Sequence, residues 1–433
     1  MSAIESTLAA ASTRSQGKHS LNRAGLTKAA LTVALLAIVL ALATNSDFYK
    51  SSMVSVFMAL ALCATAITLV VIQPTWTNLV SLAVGGLALA EFDYRVLGFH
   101  PKFVAAFSFI GLGSLAVLGT RTIWARSQDR TLFLYALFPS VLFVFSEYMA
   151  STMLDYTEAL HPKTFDLYLY SFDCSLGMQF SFMVGQLFAR HLWFRFAGLL
   201  FYIALPLPLA LIYAFQLRQK GKRAFPVMLA FLVTGPIGVL FYNMVPATGP
   251  IHVFGPNFPW HPLATSQAMQ LVLETIPVKG ARNAIPSLHM AWVLLVWWNS
   301  KGLPYWVRGV ALAFVGFTAA ATLGLGEHYF VDLVVAFPFV LMVQALCEYP
   351  LPFREGPRRA AFLFGTFASL AWMALVSYAT SLVWISPAIP WALVIATVAS
   401  STWLMHRLQD AENANQRAQR EVADDNQIAA TAG

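Results

Sequence analysis

The fold is decided by long apolar blocks, of which residues 327–348 are typical: EHYFVDLVVAFPFVLMVQALCE. Between Phe330 and Cys347 the only charged residue is Asp332. About 20 apolar residues suffice to cross the hydrocarbon of a bilayer as a helix, whose backbone hydrogen bonds close within the segment. This block therefore predicts a transmembrane helix.

Comparable blocks fill most of the 433-residue chain, which is 58% hydrophobic and only 11% charged. Soluble domains carry about 25% charged residues, and a transmembrane β-barrel would show alternation instead of unbroken blocks. The sequence therefore predicts an all-α, polytopic transmembrane helical bundle with about twelve spans. The candidate spans are about 28–44, 53–72, 77–91, 103–119, 131–150, 193–216, 225–245, 287–300, 305–323, 327–348, 362–382 and 388–406.

The basic residues indicate how these spans are oriented. With the N-terminus inside, alternating spans place 19 of the 27 Lys and Arg residues inside and 8 outside. This is the positive-inside pattern, so we expect both ends in the cytoplasm. Because the cations lie between apolar blocks rather than in one soluble stretch, the net charge of +7 does not indicate nucleic-acid binding. The cysteines are too few for a disulfide framework or a zinc site and are expected to be apolar filler: Cys63, Cys174 and Cys347.

Two of the nine histidines stand where a polar segment turns into an apolar block. His289 follows Pro286 and Ser287, residues typical of a helix start with Ser as the N-cap. His328 begins the block quoted above. In the alternating arrangement, which used only Lys and Arg, both starts lie on the outer side of the membrane.

Asp332 follows His328 by four residues, so the two side chains share a helix face. A carboxylate at the bilayer centre costs roughly 2.5–3.5 kcal/mol on insertion scales, and His328 is the expected partner. A carboxylate on one ring nitrogen fixes the tautomer and raises the basicity of the other. His328 is therefore predicted to be a nucleophile or a base, and His289 the complementary general acid.

A phosphoester fits between the two histidines because helix N-termini favour anions. Lys279 and Arg282 add positive charge just before His289, and Arg suits forked contacts with phosphate. We therefore predict Arg282, Ser287 and Lys279 as phosphate-binding residues. No metal and no cofactor is predicted.

Two predicted outer segments, 151–192 and 246–286, are long enough to be functional. The first contains acidic residues among many aromatics, including Asp166 and Asp173. This mixture favours helices that lie at the membrane interface, and we expect both carboxylates there. The second segment is rich in Pro and Gly before it reaches Lys279.

These motifs also resemble those of a known family. PSLH at 286–289 and HYFVD at 328–332 are similar to the second and third signatures of the type 2 phosphatidic acid phosphatase superfamily. The Leu between Ser and His, and GEHY at 326–329, look closest to its inositolphosphotransferase-like branch, which includes inositol phosphorylceramide synthases. The resemblance implies a core of six helices at about 131–348.

The resemblance further implies that His328 attacks phosphorus to form a phosphohistidine, that Asp332 orients it and that His289 protonates the leaving oxygen. Water or a lipid hydroxyl would then resolve the intermediate. The first signature normally supplies a Lys and an Arg-Pro, whereas residues 243–250 contain no base. Ala and Thr at 321–322 stand where the third signature normally has Ser-Arg.

Five regions follow from this interpretation. They are a cytoplasmic polar tail (1–27), N-terminal accessory transmembrane helices (28–130), a catalytic lipid phosphatase/phosphotransferase-like core (131–348), a C-terminal transmembrane hairpin (349–406) and a second cytoplasmic polar tail (407–433).

We therefore expect a membrane-embedded enzyme that cleaves a lipid phosphoester at the outer leaflet. Its substrate would be a phospholipid or lipid phosphate, and its acceptor water or the hydroxyl of a lipid or polyol. Short loops favour a bacterial inner membrane, with the site facing the periplasm. One alternative is a non-enzymatic or transport-type protein, which would carry ionisable residues near mid-membrane. The other is a metal-dependent membrane hydrolase that uses His289, His328 and Asp332 as ligands.

Overall fold

The computed structural model describes residues 25–41, 56–92, 94–95, 103–354 and 356–432. Within these ranges the regular elements are helices, apart from a short antiparallel ribbon in which β1 (Lys163–Thr164) pairs with β2 (Ile276–Pro277). The predicted all-α class is confirmed. Most of the predicted N-terminal tail lies outside the described residues.

The chain divides into two compact units, residues 1–141 and 142–433. The described helices of the first unit are apolar along most of their length. They are α1 (Gly25–Ala41), α2 (Val56–Ile72), α3 (Trp76–Phe92), α4 (Phe103–Trp124) and the first part of α5 (Ser127–Leu160).

Small residues let the helices of the first unit approach closely, as is common between helices in membranes. A Cβ atom at Gly111 of α4 would collide with the backbone of Leu62 in α2. At the end of the same helix, Arg121 Nη1 donates to Gln73 Oε1 at 2.6 Å, so the cation is paired where α2 ends.

The second unit contains the remaining helices. They are α6 (Asp166–Ser175), α7 (Phe180–Arg190), α8 (Leu192–Ile203), α9 (Pro206–Lys220), α10 (Phe225–Met244), α11 (Pro250–Phe254), α12 (Thr265–Met269), α13 (Leu288–Asn299), α14 (Tyr305–Gly324), α15 (Phe330–Cys347), α16 (Gly356–Tyr378) and α17 (Ala388–Ala432).

Helix α15, which holds most of the block quoted first, is the centre of this unit. It packs against α10, α13, α16 and α17, and 83% of its residues are buried. By contrast, α17 is only 33% buried within its most apolar part and presents large apolar side chains outward, such as Trp403. A helix that is apolar on all sides yet buried is expected at the core of a bundle.

One predicted span is interrupted. The sequence predicts a single helix over 193–216, but the structure ends α8 at Ile203 and starts α9 at Pro206. Proline lacks the N–H that would bond four residues back, and its ring clashes with that carbonyl. The break places Tyr202 in the last turn of α8.

Six helical stretches are long and apolar enough to cross a membrane, as judged over the described residues. They are Ala106–Trp124, Pro206–Met244, Tyr305–Gly324, Phe330–Cys347, Gly356–Tyr378 and Ala388–Gln419. These six stretches fit an integral membrane protein. Shorter apolar helices include α1, α2 and α8.

Helix α17 continues well beyond its apolar part, to Ala432. The predicted C-terminal tail, 407–433, is therefore helical through Ala432. Its first turns pair with neighbouring helix ends: Lys220 Nζ lies 3.0 Å from Glu412 Oε1, and Lys301 Nζ lies 3.1 Å from Asp410 Oδ1. Salt bridges that are partly exposed contribute little stability individually, and these two hold the start of the extension to the ends of α9 and α13.

Candidate active site

Two carboxylates cap the start of α15. Asp173 of α6 accepts hydrogen bonds from the backbone N–H groups of Phe330 at 2.6 Å and Val331 at 3.1 Å. Asp332 Oδ2 accepts from Tyr329 N at 2.8 Å. The free N–H groups of a helix start need such acceptors. The helix is thus fixed where His328 enters it.

Asp173 and Asp166, which were expected at the membrane interface, are buried inside the second unit. Their side chains are only 3% and 0% exposed, because each accepts several hydrogen bonds inside the unit. Asp166 accepts from the backbone N–H of Thr248 at 3.1 Å, from Gly249 N at 2.8 Å and from the Tyr329 hydroxyl at 3.0 Å. Sequence reasoning missed these roles because the partners lie 82 to 163 residues away.

The imidazole of His328 is buried and held from both sides. Its Nδ1 lies 2.9 Å from the carbonyl oxygen of Ala284 and 3.4 Å from Asp332 Oδ2, and only 2% of the residue is exposed. Its Nε2 lies 3.3 Å from the Ser287 hydroxyl. The expected pairing of Asp332 with His328 is therefore present, with a carbonyl as a second acceptor.

These contacts decide which nitrogen of His328 carries the proton. A carbonyl oxygen can only accept, so Nδ1 donates to Ala284 O. In the neutral ring Nε2 then keeps its lone pair, which is directed towards Ser287. The hydroxyl of Ser287 accepts from Met290 N at 3.3 Å and is left free to donate to Nε2.

The start of α13 lies directly beside the start of α15. Ser287 is the N-cap of α13, as predicted, and its own backbone N–H donates to the carbonyl oxygen of Asp332 at 3.1 Å. Two helix N-termini that meet in this way concentrate positive partial charge. The structure thus brings Ser287, His328 and Asp332 together.

His289, in the first turn of α13, is held by ring contacts. Its imidazole stacks on Tyr202 with a centroid separation of 3.8 Å and an interplanar angle of 14°, and it meets Trp292 edge-on at 6.3 Å. The bond from Ser287 N to Asp332 O brings the helix turn that carries His289 beside the start of α15. No pattern in the sequence distinguishes Tyr202 from other aromatics in apolar helices.

Arg282 is buried with its donors facing backbone carbonyls. The residue is 1% exposed, its Nε donates to His161 O at 2.8 Å and its Nη1 donates to Gly280 O. Burial lowers the pKa of the guanidinium, with Glu158 and Asp166 acting in the opposite direction. Its charge thus supports the loop that leads to α13.

Lys279 lies on the exposed surface of that loop. Its neighbour Gly280 is anchored through a backbone N–H bond to Glu158 Oε2 at 3.0 Å. The phosphate-binding roles of Lys279 and Arg282 stay predictions.

The loop at 245–250, where the first signature is expected, also reaches this site. Gly249 has a φ of +114°, and a Cβ atom there would collide with the carbonyl group of Glu327. Only glycine allows this backbone approach. Just beyond, Ile251 N donates to Gly326 O at 2.9 Å, which fixes α11 against the turn before His328.

A second histidine–carboxylate pair lies at this contact. His252 Nε2 is 3.6 Å from Glu327 Oε2, and the two side chains are 34% and 35% exposed. The neighbouring carboxylate of Glu327 raises the pKa of His252, and partial burial opposes this shift. No local pattern in the sequence marks this pair, because its two residues are 75 positions apart.

Among the residues that the structure describes, no three His, Cys, Asp or Glu side chains are grouped so that they could hold a metal ion.

The site thus belongs to a helical membrane protein with an oriented histidine and a second histidine beside it. Residues 167–346 match the sequence model of the PAP2 superfamily. The matched range contains Ser287, His289, His328 and Asp332. Members of that superfamily are phosphatases and phosphotransferases, so the match suggests a phosphatase-type membrane enzyme. No curated protein and no solved structure matches the chain.

Proposed function

We propose that the protein is a lipid phosphatase or phosphotransferase that works through a phosphohistidine on His328. The observation that carries the proposal is the hydrogen bond from His328 Nδ1 to Ala284 O at 2.9 Å. It leaves the Nε2 lone pair directed at the start of α13, where a phosphoryl group would meet helix N–H groups.

In the first half-reaction Nε2 attacks phosphorus, and the bond from phosphorus to the ester oxygen breaks. The leaving oxygen takes a proton from His289. Positive charge on His328 in the intermediate is stabilised by Asp332 Oδ2, 3.4 Å from Nδ1. In the second half-reaction an acceptor oxygen attacks phosphorus, gives its proton to His289 and releases Nε2.

The phosphate oxygens would be bound mainly by backbone N–H groups and by the Ser287 hydroxyl. Ser287 is a suitable donor because its hydroxyl already points at Nε2. Arg282 would act through its charge, since two of its donors face backbone carbonyls. Lys279, exposed on the same loop, would contribute a weaker, solvent-screened attraction.

The membrane arrangement is part of the same proposal. The distribution of Lys and Arg supports both ends in the cytoplasm and a site that opens to the outer face. The apolar blocks support about twelve spans, the family resemblance a six-helix core, and the short loops a bacterial inner membrane. The GEHY run at 326–329 favours the inositolphosphotransferase-like branch. A phospholipid or lipid phosphate would reach such a site from the outer leaflet.

The test is a panel of lipid phosphates and phosphodiesters with purified protein, scored for free phosphate and for new phosphodiester. A phosphoenzyme that is labile to acid and stable to base, present in the wild type and missing in His328→Ala, is the expected result. His261→Ala, an exposed histidine on the loop before α12, is the matched control. Full activity of His328→Ala would refute the mechanism.

Two arms of the same experiment separate the alternatives. Turnover in detergent, where no compartment exists, distinguishes an enzyme from a transporter. Turnover that survives EDTA distinguishes the phosphohistidine route from a metal-dependent hydrolase.

A further inference from the structure

The His252–Glu327 pair lies beside the proposed chemistry but takes no part in it. Glu327 directly precedes His328, and the bond from Ile251 N to Gly326 O holds the pair in place. The nitrogen and oxygen are 3.6 Å apart, longer than a good hydrogen bond. Both groups are about one-third exposed, so each keeps hydrogen-bonding capacity for a third group.

Glu327 is adjacent in the chain to the proposed nucleophile, because it directly precedes His328. A group bound at Glu327 would therefore lie near the start of α15, where the phosphohistidine is proposed to form.

Charge decides what this pair can bind. A carboxylate repels a phosphoester anion, so Glu327 is poorly suited to hold the phosphoryl group. His252 can donate a proton and Glu327 can accept one, and the two groups lie 3.6 Å apart. An adjacent donor and acceptor with little net charge match two neighbouring hydroxyl groups, one accepting from His252 and one donating to Glu327.

We propose that His252 and Glu327 form the acceptor site of a transfer reaction and bind the vicinal hydroxyls of an uncharged polyol. This inference rests on the proposed function. One bound hydroxyl oxygen attacks phosphorus, the bond from phosphorus to His328 Nε2 breaks, and the hydroxyl proton passes to His289. The product is a new phosphodiester or monoester of the polyol.

The test compares 1,2-propanediol with 1-propanol as acceptors, using a lipid phosphate donor and scoring transfer against hydrolysis. The wild type should favour the diol by about tenfold, the value of one hydrogen bond to a charged group. Glu327→Gln and His252→Gln should remove that preference by raising the diol concentration needed for half-maximal transfer. Glu274→Gln and His261→Gln, both exposed, are the matched controls and should keep it.

The outcomes separate this proposal from the one on which it rests. A wild type that forms no phosphoenzyme refutes the proposed function. A wild type that forms it yet uses both alcohols equally refutes the acceptor site alone. A rise in the KM for the donor, without change in the diol preference, would instead make the pair a phosphate-binding element. The phosphoenzyme burst of each variant reports its folded fraction.

Discussion

The starts of α13 and α15 each carry a histidine, but the two rings are held differently. His328 is 2% exposed, and both its nitrogens face oxygen atoms of Ala284, Asp332 and Ser287. His289 is only partly buried and is held by the face of Tyr202. Polar contacts fix the direction of a lone pair, whereas stacking fixes the plane of a ring. The difference fits a nucleophile beside a general acid.

The largest expected effect comes from removing the imidazole of His328. His328→Ala should lower both hydrolysis and transfer by at least about 10⁴-fold, because covalent catalysis is lost with the nucleophile. Steady-state rates and phosphoenzyme trapping measure this. If His289→Ala abolished the phosphoenzyme while His328→Ala kept it, the two roles would be reversed.

The effect of removing His289 should depend on how strongly the leaving oxygen needs a proton. His289→Ala should slow cleavage of an alkyl phosphoester by about 10²–10⁴-fold, the usual contribution of a general acid. An aryl phosphoester, whose leaving oxygen needs no proton, should lose far less. Pre-steady-state rates with both esters give the comparison, and equal losses would argue against the acid role.

Removing the carboxylate should cost less than removing either ring. Asp332→Asn should reduce the rate of phosphoenzyme formation by roughly 10- to 100-fold, the equivalent of one charge-assisted hydrogen bond. The loss stays limited because Ala284 O still binds Nδ1 at 2.9 Å and fixes the tautomer. A loss as large as that of His328→Ala would show that the carbonyl does not fix the tautomer.

The smallest effect is expected at the stacking partner. Tyr202→Leu should lower kcat by about 2- to 10-fold, as an aromatic pair contributes about 0.5–1.5 kcal/mol. Tyr202→Phe keeps the ring face and should restore the rate. Both variants should leave the KM of the donor lipid unchanged. If Phe were no better than Leu, the hydroxyl rather than the stack would position His289.

Local signals in the sequence were sufficient for the helix starts. Ser287 was predicted as the N-cap from its place after Pro286, and Asp332 as the partner of His328 from the i,i+4 spacing. Both are present in the structure. Each depends on contacts within a few residues, which a sequence displays directly.

What the sequence could not predict depends on distant partners. Asp173 looked like an interfacial acid but caps a helix that begins 157 residues later. Arg282 was predicted as a phosphate ligand from its place in the loop, and the sequence did not show that its Nε donates to a carbonyl 121 residues earlier. Only the tertiary arrangement brings such groups together, so burial of polar residues was systematically underestimated.

The helical conformation of residues 407–432 could have been predicted from the sequence. Residues 391–432 contain neither Pro nor Gly and are rich in Ala, Gln, Glu and Arg, which are good helix formers. The sequence was interpreted only as a polar tail from residue 407 onward, with no conformation predicted for it. A polar composition indicates exposure to water and does not indicate whether a segment is helical. The salt bridges of Asp410 and Glu412 hold the first turns of this segment in place.

The length of α17 has a mechanical consequence. With 45 residues at about 1.5 Å each, it measures more than twice the thickness of the roughly 30 Å hydrocarbon layer. Its polar half therefore extends into water as a helix that salt bridges hold at its start. A fluorophore fused after the last residue would lie at a fixed distance from the lipid surface. Fluorescence energy transfer to a labelled lipid would measure that distance.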